Sequence, residues 1–243
     1  MHIASHRPIA AVAALALSAI ALAACLNVDK AAAGTTVLGA TGAAEAGCPQ
    51  HCLVEARVTG FQTSIGRRRD PFVTPARGRI VAWSIKLGMP RRRDIKGFNR
   101  KFGESKARIS ILKRVRSKRR AGRPRPTYRL LRESPVVRLR ALFGKLTTIT
   151  LPRPLKVGRG QVVALTIPTW APTFSVLDSK RSRWLASRSA TRRRGGCVTA
   201  DGFANLHAGG PDQKLGSSRV FGCAYHGARL LYSARFVKRG TRP

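Results

Sequence analysis

The stretch Leu155-Lys156-Val157-Gly158-Arg159-Gly160-Gln161-Val162-Val163-Ala164-Leu165 decides the fold class. Leu155 and Val157 flank Lys156 with the period of two that a strand imposes on its side chains. Gly158 and Gly160 then supply a turn, and Val162–Leu165 is the short apolar run of a buried strand. Strand, glycine turn and buried strand within eleven residues mark a turn leading into a core strand, the texture of an antiparallel sandwich or jelly roll.

The same texture extends in both directions. Val54, Ala56 and Val58 alternate with Glu55, Arg57 and Thr59. Val81, Trp83, Ile85 and Leu87 make one strand face, with Ala82, Ser84 and Lys86 on the other. Ile109, Ile111 and Val115 alternate with Ser110, Leu112 and Arg114, and Val137, Leu139, Ala141 and Phe143 with Arg138 and Arg140. Leu146–Leu151, Val162–Ile167, Phe174–Leu177 and Leu230–Val237 complete the set, with Gly or Pro in nearly every gap. No window offers a sustained helical period with caps. Many short strands separated by turn signals predict an all-β domain, an antiparallel β-sandwich or jelly roll, over residues 48–243. Its 196 residues suffice for a two-sheet core. The spacing Val157…Gly160…Val163…Leu165 resembles a V-x-x-G-x-x-V-x-L phrase found in many extracellular jelly rolls, and the domain resembles the broad class of secreted jelly-roll proteins. That resemblance implies a fold and no activity, and the phrase marks a turn before a core strand rather than a binding motif.

The first residues carry an address. Arg7 precedes a 16-residue run, Ile9–Ala24, of Ala, Val, Leu, Ile and one Ser. A membrane span needs about 20 apolar residues, so this basic start and short apolar run predict a secretory signal peptide over residues 1–24. The exit Leu22-Ala23-Ala24-Cys25 resembles the lipobox of bacterial lipoproteins, which implies lipidation of Cys25 and a lipid anchor in the cell envelope. Plain secretion is the alternative, since Ala31-Ala32-Ala33 also suits an ordinary signal peptidase. Residues 25–47 hold the Cys and then Ala, Gly and Thr with few large apolar side chains, which predicts a flexible linker.

Setting Cys25 aside leaves Cys48, Cys52, Cys197 and Cys223, an even number that reads as disulfides in an exported domain. Local pairing, Cys48 with Cys52 and Cys197 with Cys223, is the expected one of three connectivities, with a cross-pairing open. A zinc site is disfavoured by the C-x3-C spacing and the oxidising compartment. No metal and no cofactor is expected.

The charge is extreme: 47 Lys+Arg against 10 Asp+Glu, a net +37, of which residues 51–243 carry all. By surface scaling a ~21 kDa domain exposes about 9,000 Å², one cation on roughly every 200 Å². Arginine outnumbers lysine 35 to 12, and its planar fork suits bidentate contact with phosphate, sulfate or carboxylate. The candidate polyanion-binding residues are the triplets Arg67, Arg68, Arg69; Arg91, Arg92, Arg93; and Arg192, Arg193, Arg194, read as loops, with Arg138 and Arg140 on a strand face. If the alternation holds, at least one sheet presents a basic outer face. Outside a cytoplasm the polyanions at hand are anionic headgroups, wall-linked phosphate polymers and released nucleic acid, and attraction to them falls with salt. No zinc-finger spacing or RNA-binding aromatic signature points to sequence-specific nucleic-acid reading.

Two alternatives complete the reading. A carbohydrate-binding module would stack sugars on exposed aromatics, for which Trp170 (in Pro168-Thr169-Trp170-Ala171-Pro172) and Trp184 (in Arg181-Ser182-Arg183-Trp184) are the candidates, whereas Trp83 belongs to the core. Charge arising from composition alone would make this a structural envelope protein. An enzyme is not expected: Asp201, Asn205, His207, Asp212 and His226 follow no catalytic spacing, and nucleophile-elbow, phosphate-loop and HExxH motifs are lacking.

Overall fold

A computed structural model describes residues 34–42, 44–48, 52–115, 126–176, 179–188, 197 and 213–240. The chain divides into Met1–Thr35 and a compact unit, Thr36–Pro243, and the second holds the sandwich. Cys25, Arg192, Arg193, Arg194, Asp201, Asn205, His207 and Asp212 lie outside the described residues.

Two antiparallel sheets form the body. The larger sets side by side β12 (Ser218–Val220), β6 (Thr127–Glu133), β5 (Lys106–Val115), β9 (Val162–Ala171), β2 (Glu55–Ile65), β11 (Arg183–Ala186) and β13 (Cys223–His226). Two-residue strands β3 (Arg68–Arg69) and β7 (Val137–Arg138) pair with β2 and β5. The smaller orders β1 (Thr35–Gly39), β15 (Tyr232–Lys238), β4 (Gly78–Lys86) and β8 (Leu146–Val157). A pair, β10 (Phe174–Ser175) with β14 (Arg229–Leu230), stands apart.

Alternation explains the core. Trp83, Ile85, Tyr232, Ala234 and Phe236 of the small sheet are buried together with Ile109, Ile111, Val163 and Leu165 of the large one. Tyr232 ties the sheets: its ring stacks on Phe72 at 4.2 Å, and its hydroxyl donates to the Val163 carbonyl at 3.0 Å. Burial pushes its phenol well above the usual tyrosine range. A β-bulge between Ile80 and Ala82 corrects one expected face: Ile80 enters the core beside Trp83 and Ile85, and Val81 is half-buried. Hydroxyls on the large sheet are buried too. Thr166 bonds Thr59 at 2.9 Å and Ser110 at 2.7 Å, so β2, β5 and β9 are covered on both faces.

Four expectations are corrected. First, a helix, α1 (Arg92–Phe102), interrupts the strands. Ile95, Phe98 and Phe102 sit at i, i+3 and i+7, and Phe98 and Phe102 are buried under a face otherwise of Arg, Lys and Asn. Arg91 occupies the N-cap without a side-chain cap, Asp94 faces the positive end of the helix dipole, and Gly103 at φ 85° ends it. The triplet Arg91, Arg92, Arg93 is therefore a helix start rather than a loop. Second, the alternation over 137–143 yields only β7 and a 3-10 turn, Arg140–Leu142, that drops Leu139 and Phe143 into the core. Third, β9 continues through Pro168, so Trp170 lies in a strand, not in a loop after it. Fourth, the flexible linker expected over 25–47 is part of the fold from β1 onward. Leu38 is buried, the Gly39 N–H donates to Pro71, and Arg229 donates to the Ala40 carbonyl at 2.8 Å.

Cys48 is paired with Cys52 and Cys197 with Cys223, the local connectivity. Paired cysteines suit an oxidising compartment. No helix among the described residues is long and apolar enough to cross a membrane.

Candidate functional site

The registers bring several strand termini to one end of the molecule. There β4 begins, β8 and β15 finish, β9 starts, and β2 and β5 reach Ile65 and Val115. Gly78 lies opposite Val157 on one side and Lys238 on the other, and Arg79 lies opposite Lys156 and Val237. Between these termini opens a cavity of about 560 Å³. Its polar walls are Arg77, Arg79, Arg132, Lys156, Lys238 and Arg239, with Gln161 and the Gly78, Gly158 and Gly240 backbone; among the described residues no carboxylate lines it.

Local sequence builds this cleft. A Cβ on Gly78 would fall 2.3 Å from the Val237 carbonyl and 2.5 Å from the Phe236 ring, so only glycine lets β4 approach β15 this closely. The Arg239 N–H donates to the Arg77 carbonyl at 3.0 Å, fixing the two flanking cations side by side. The far wall is the opening glycine turn. Thr74 Oγ1 donates to the Gly158 carbonyl and accepts the Gln161 N–H, and Gln161 Oε1 accepts the Gly158 N–H at 3.0 Å. Gly160 takes φ 74°, which its lack of a Cβ permits. The eleven residues that decide the fold thus also line the cleft, through Lys156, Val157, Gly158 and Gln161.

The charged side chains offer donation only. Guanidinium forks and ammonium groups accept nothing. Like charges directly opposite across a ladder, as Arg79 and Lys156 are, destabilise it by a few tenths of a kcal/mol. An anion bridging such cations removes that repulsion and gains charge-assisted hydrogen bonds. Among the described residues the lining contains no His, Cys, Ser or carboxylate to move a proton or attack a bond.

The predicted residues are distributed differently. Arg67, Arg68 and Arg69 are exposed on the β2–β3 hairpin, at the cleft end but outside the lining, beside Asp70, which is held at φ 47°. Arg91, Arg92 and Arg93 are exposed at the opposite end, where Arg93 lies 3.8 Å from Asp94. Arg138 and Arg140 flank a pocket of only about 60 Å³ against α1, and Arg138 is 3.5 Å from Glu104. The basic outer face lies on the small sheet, with Arg79, Lys156 and Arg235 exposed, rather than around Arg138 and Arg140. On the large sheet Arg108 is held by Glu133 at 2.7 Å, and Arg57, at φ 47° in a bulge, lies over the Phe102 ring at 5.7 Å.

Both candidate sugar-stacking residues are corrected: Trp170 and Trp184 are 0% exposed. Trp170 packs on Phe98 and Phe143, and its indole N–H donates to Asn99 Oδ1 and the Gly103 carbonyl, so it docks α1. Trp184 stacks on Tyr225 at 4.6 Å over the space that Gly60 leaves. His226 is exposed at the end of β13. Among the described residues no three of His, Cys, Asp and Glu are grouped to hold a metal ion.

One buried ion pair also escaped sequence reading. Arg188 donates to Glu55 Oε2 at 2.6 Å, to the Ala56 carbonyl at 3.1 Å and to the Tyr225 hydroxyl at 3.2 Å. Burial opposes the Arg188 charge, but Glu55 and Tyr225 outweigh it and raise its pKa above the usual arginine value.

The cleft cations escaped because each stands alone or in a pair in the sequence, whereas triplets draw the eye. The available signal was a basic residue flanking glycine at a strand end: Arg77-Gly78-Arg79, Lys156-Val157-Gly158 and Lys238-Arg239-Gly240. Comparison with known proteins finds no matching family model, no matching curated protein and no matching solved structure.

Proposed function

We propose that this chain is an exported, lipid-anchored β-sandwich of the cell envelope that performs no catalysis and binds polyanionic envelope ligands through its arginine-rich end. The observation that carries the reading is the cleft: six cations around about 560 Å³, with no carboxylate in the lining among the described residues. In a chain with 10 acids some would be expected beside a merely solvated cluster, as they are elsewhere on the surface. Export is supported by the leader and by the two cysteine pairs, and the anchor by Leu22-Ala23-Ala24-Cys25. Phosphate and carboxylate polymers match the donor set, and their binding weakens steeply with salt through counterion release.

The test is retention on a polyphosphate matrix of the native chain, of a cleft variant (Arg77→Ser, Arg79→Ser, Lys238→Ser) and of a charge-matched variant (Arg91→Ser, Arg92→Ser, Arg140→Ser). The cleft variant is expected to elute at clearly lower salt than the matched one. Equal elution would mean that net charge alone governs retention and that the cleft is no site.

A further inference from the structure

We infer that the cleft end is the face this protein lays on the membrane, with the phosphates of anionic lipid headgroups as the occupants of the cleft; the inference rests on the anchored reading above. It comes from the direction in which the chain enters the fold. Beyond Gly39, Ala40 meets Arg229, Glu45 pairs with Lys86 at 2.9 Å, and Cys48 packs against Gly88, at the end where α1 sits. The chain therefore runs along the small sheet away from the cleft, and β1 enters from the cleft side. Because β1 is a strand of the sandwich, only ten residues lie between Cys25 and Thr36, not the longer spacer that the linker composition suggests.

Lengths decide the orientation. The eleven residue-to-residue steps from Cys25 to Thr36 span at most ~38 Å when fully extended. The twelve residues of β8 make the sandwich roughly 40 Å long. A ten-residue tether starting from the cleft side is long enough to reach a bilayer below the cleft. To bring the α1 end down instead, it would have to double back along the whole body at nearly full extension. Charge points the same way. The cleft end adds Arg67, Arg68 and Arg69 to the six cleft cations, with Asp70 beside the triplet. Each basic residue brought to an anionic surface strengthens attraction by roughly fivefold.

The experiment uses the native acylated chain on vesicles of phosphatidylcholine, with and without phosphatidylglycerol, and a water-soluble amine-acylating reagent read by mass spectrometry. Lys156 and Lys238 report the cleft end; Lys96 and Lys145, both exposed, report the other. With phosphatidylglycerol, labelling of Lys156 and Lys238 is expected to fall severalfold relative to Lys96 and Lys145, and high salt restores it. Arg77→Glu with Arg79→Glu and Arg239→Glu abolishes the protection; Arg91→Glu with Arg92→Glu and Arg140→Glu leaves it. Equal labelling of the two ends on the anionic vesicles, or protection of Lys96 instead, overturns the inference. Protection of Lys156 by soluble polyphosphate but not by the anionic vesicles overturns it too, while leaving polyanion binding in place. An intact mass without acyl chains on Cys25 removes the anchor, and with it both the orientation and the lipid-anchored reading.

Discussion

The two ends of this sandwich are made from the same arginine-rich composition and handle it differently. At the α1 end carboxylates are interleaved with the cations: Glu45 with Lys86, Asp94 with Arg93, Glu104 with Lys106 and Arg138, and Glu55 buried under Arg188. At the cleft end six cations converge on a concave surface that none of the described carboxylates lines; Asp70 and Glu133, the chain neighbours of Arg69 and Arg132, stay outside the lining. The lesson concerns placement: a large net charge says little by itself, whereas the withholding of carboxylates from one concavity is a local feature that solubility does not require.

The largest way to break the contrast is to remove the deepest neutralisation. Arg188→Ala leaves Glu55 buried without its partner and is expected to cost about 3–5 kcal/mol. At about 2–4 °C per kcal/mol for a chain of this size, the melting temperature falls by roughly 10 °C in a calorimetric scan. Arg188→Met combined with Glu55→Gln recovers most of that loss, because an apolar replacement removes the uncompensated charge. An unchanged melting temperature in Arg188→Ala would show that the pair contributes nothing.

Gly78→Ala acts at the other end. Its Cβ must push β15 away from β4, at an expected cost of about 1–3 kcal/mol in denaturant unfolding. It should also weaken polyphosphate binding, since Lys238 and Arg239 move with β15.

A third effect follows from Tyr232, which ties the two sheets. Its phenol is raised by burial, so the folded state favours the neutral form. The stability this represents is fully present below the unfolded pKa near 10 and is lost as pH rises toward the folded value. The slope is about 1.4 kcal/mol per pH unit. Denaturant midpoints measured from pH 9 to 11 should fall in the native chain with a slope that Tyr232→Phe reduces.

The smallest effect is expected from Glu45→Ala. Glu45 is 84% exposed in its pair with Lys86, so the loss is about 0.2–1 kcal/mol, within a degree or two of melting temperature.

Most of the strands were legible because a period of two survives wherever one face is apolar, as in Trp83 and Ile85 or Tyr232, Ala234 and Phe236. The disulfide pairing was legible because each pair brackets a local segment. The helix was not, since its apolar stripe is three residues among seven cationic or polar ones, with Gly97 inside and an arginine at the N-cap. Nor was β1, because Thr35–Gly39 buries little beyond Leu38 and borrows its stability from the neighbouring strand. Trp170 and Trp184 misled because polar sequence neighbours say nothing about tertiary cover, here supplied by Phe98, Phe143 and Tyr225. The cleft was hidden for a related reason: strand register, a long-range property, assembles it from residues as far apart as Arg77 and Arg239.

The central claim, that the cleft and not the total charge binds polyanions, is tested most directly by the salt dependence of inorganic polyphosphate affinity. Each phosphate contact contributes roughly 0.7–0.9 to the slope of log K against log salt. The variant Arg77→Ser, Arg79→Ser, Lys238→Ser should lose about two to three contacts' worth of slope, and Arg91→Ser, Arg92→Ser, Arg140→Ser almost none. Equal slopes for the two variants would contradict the account.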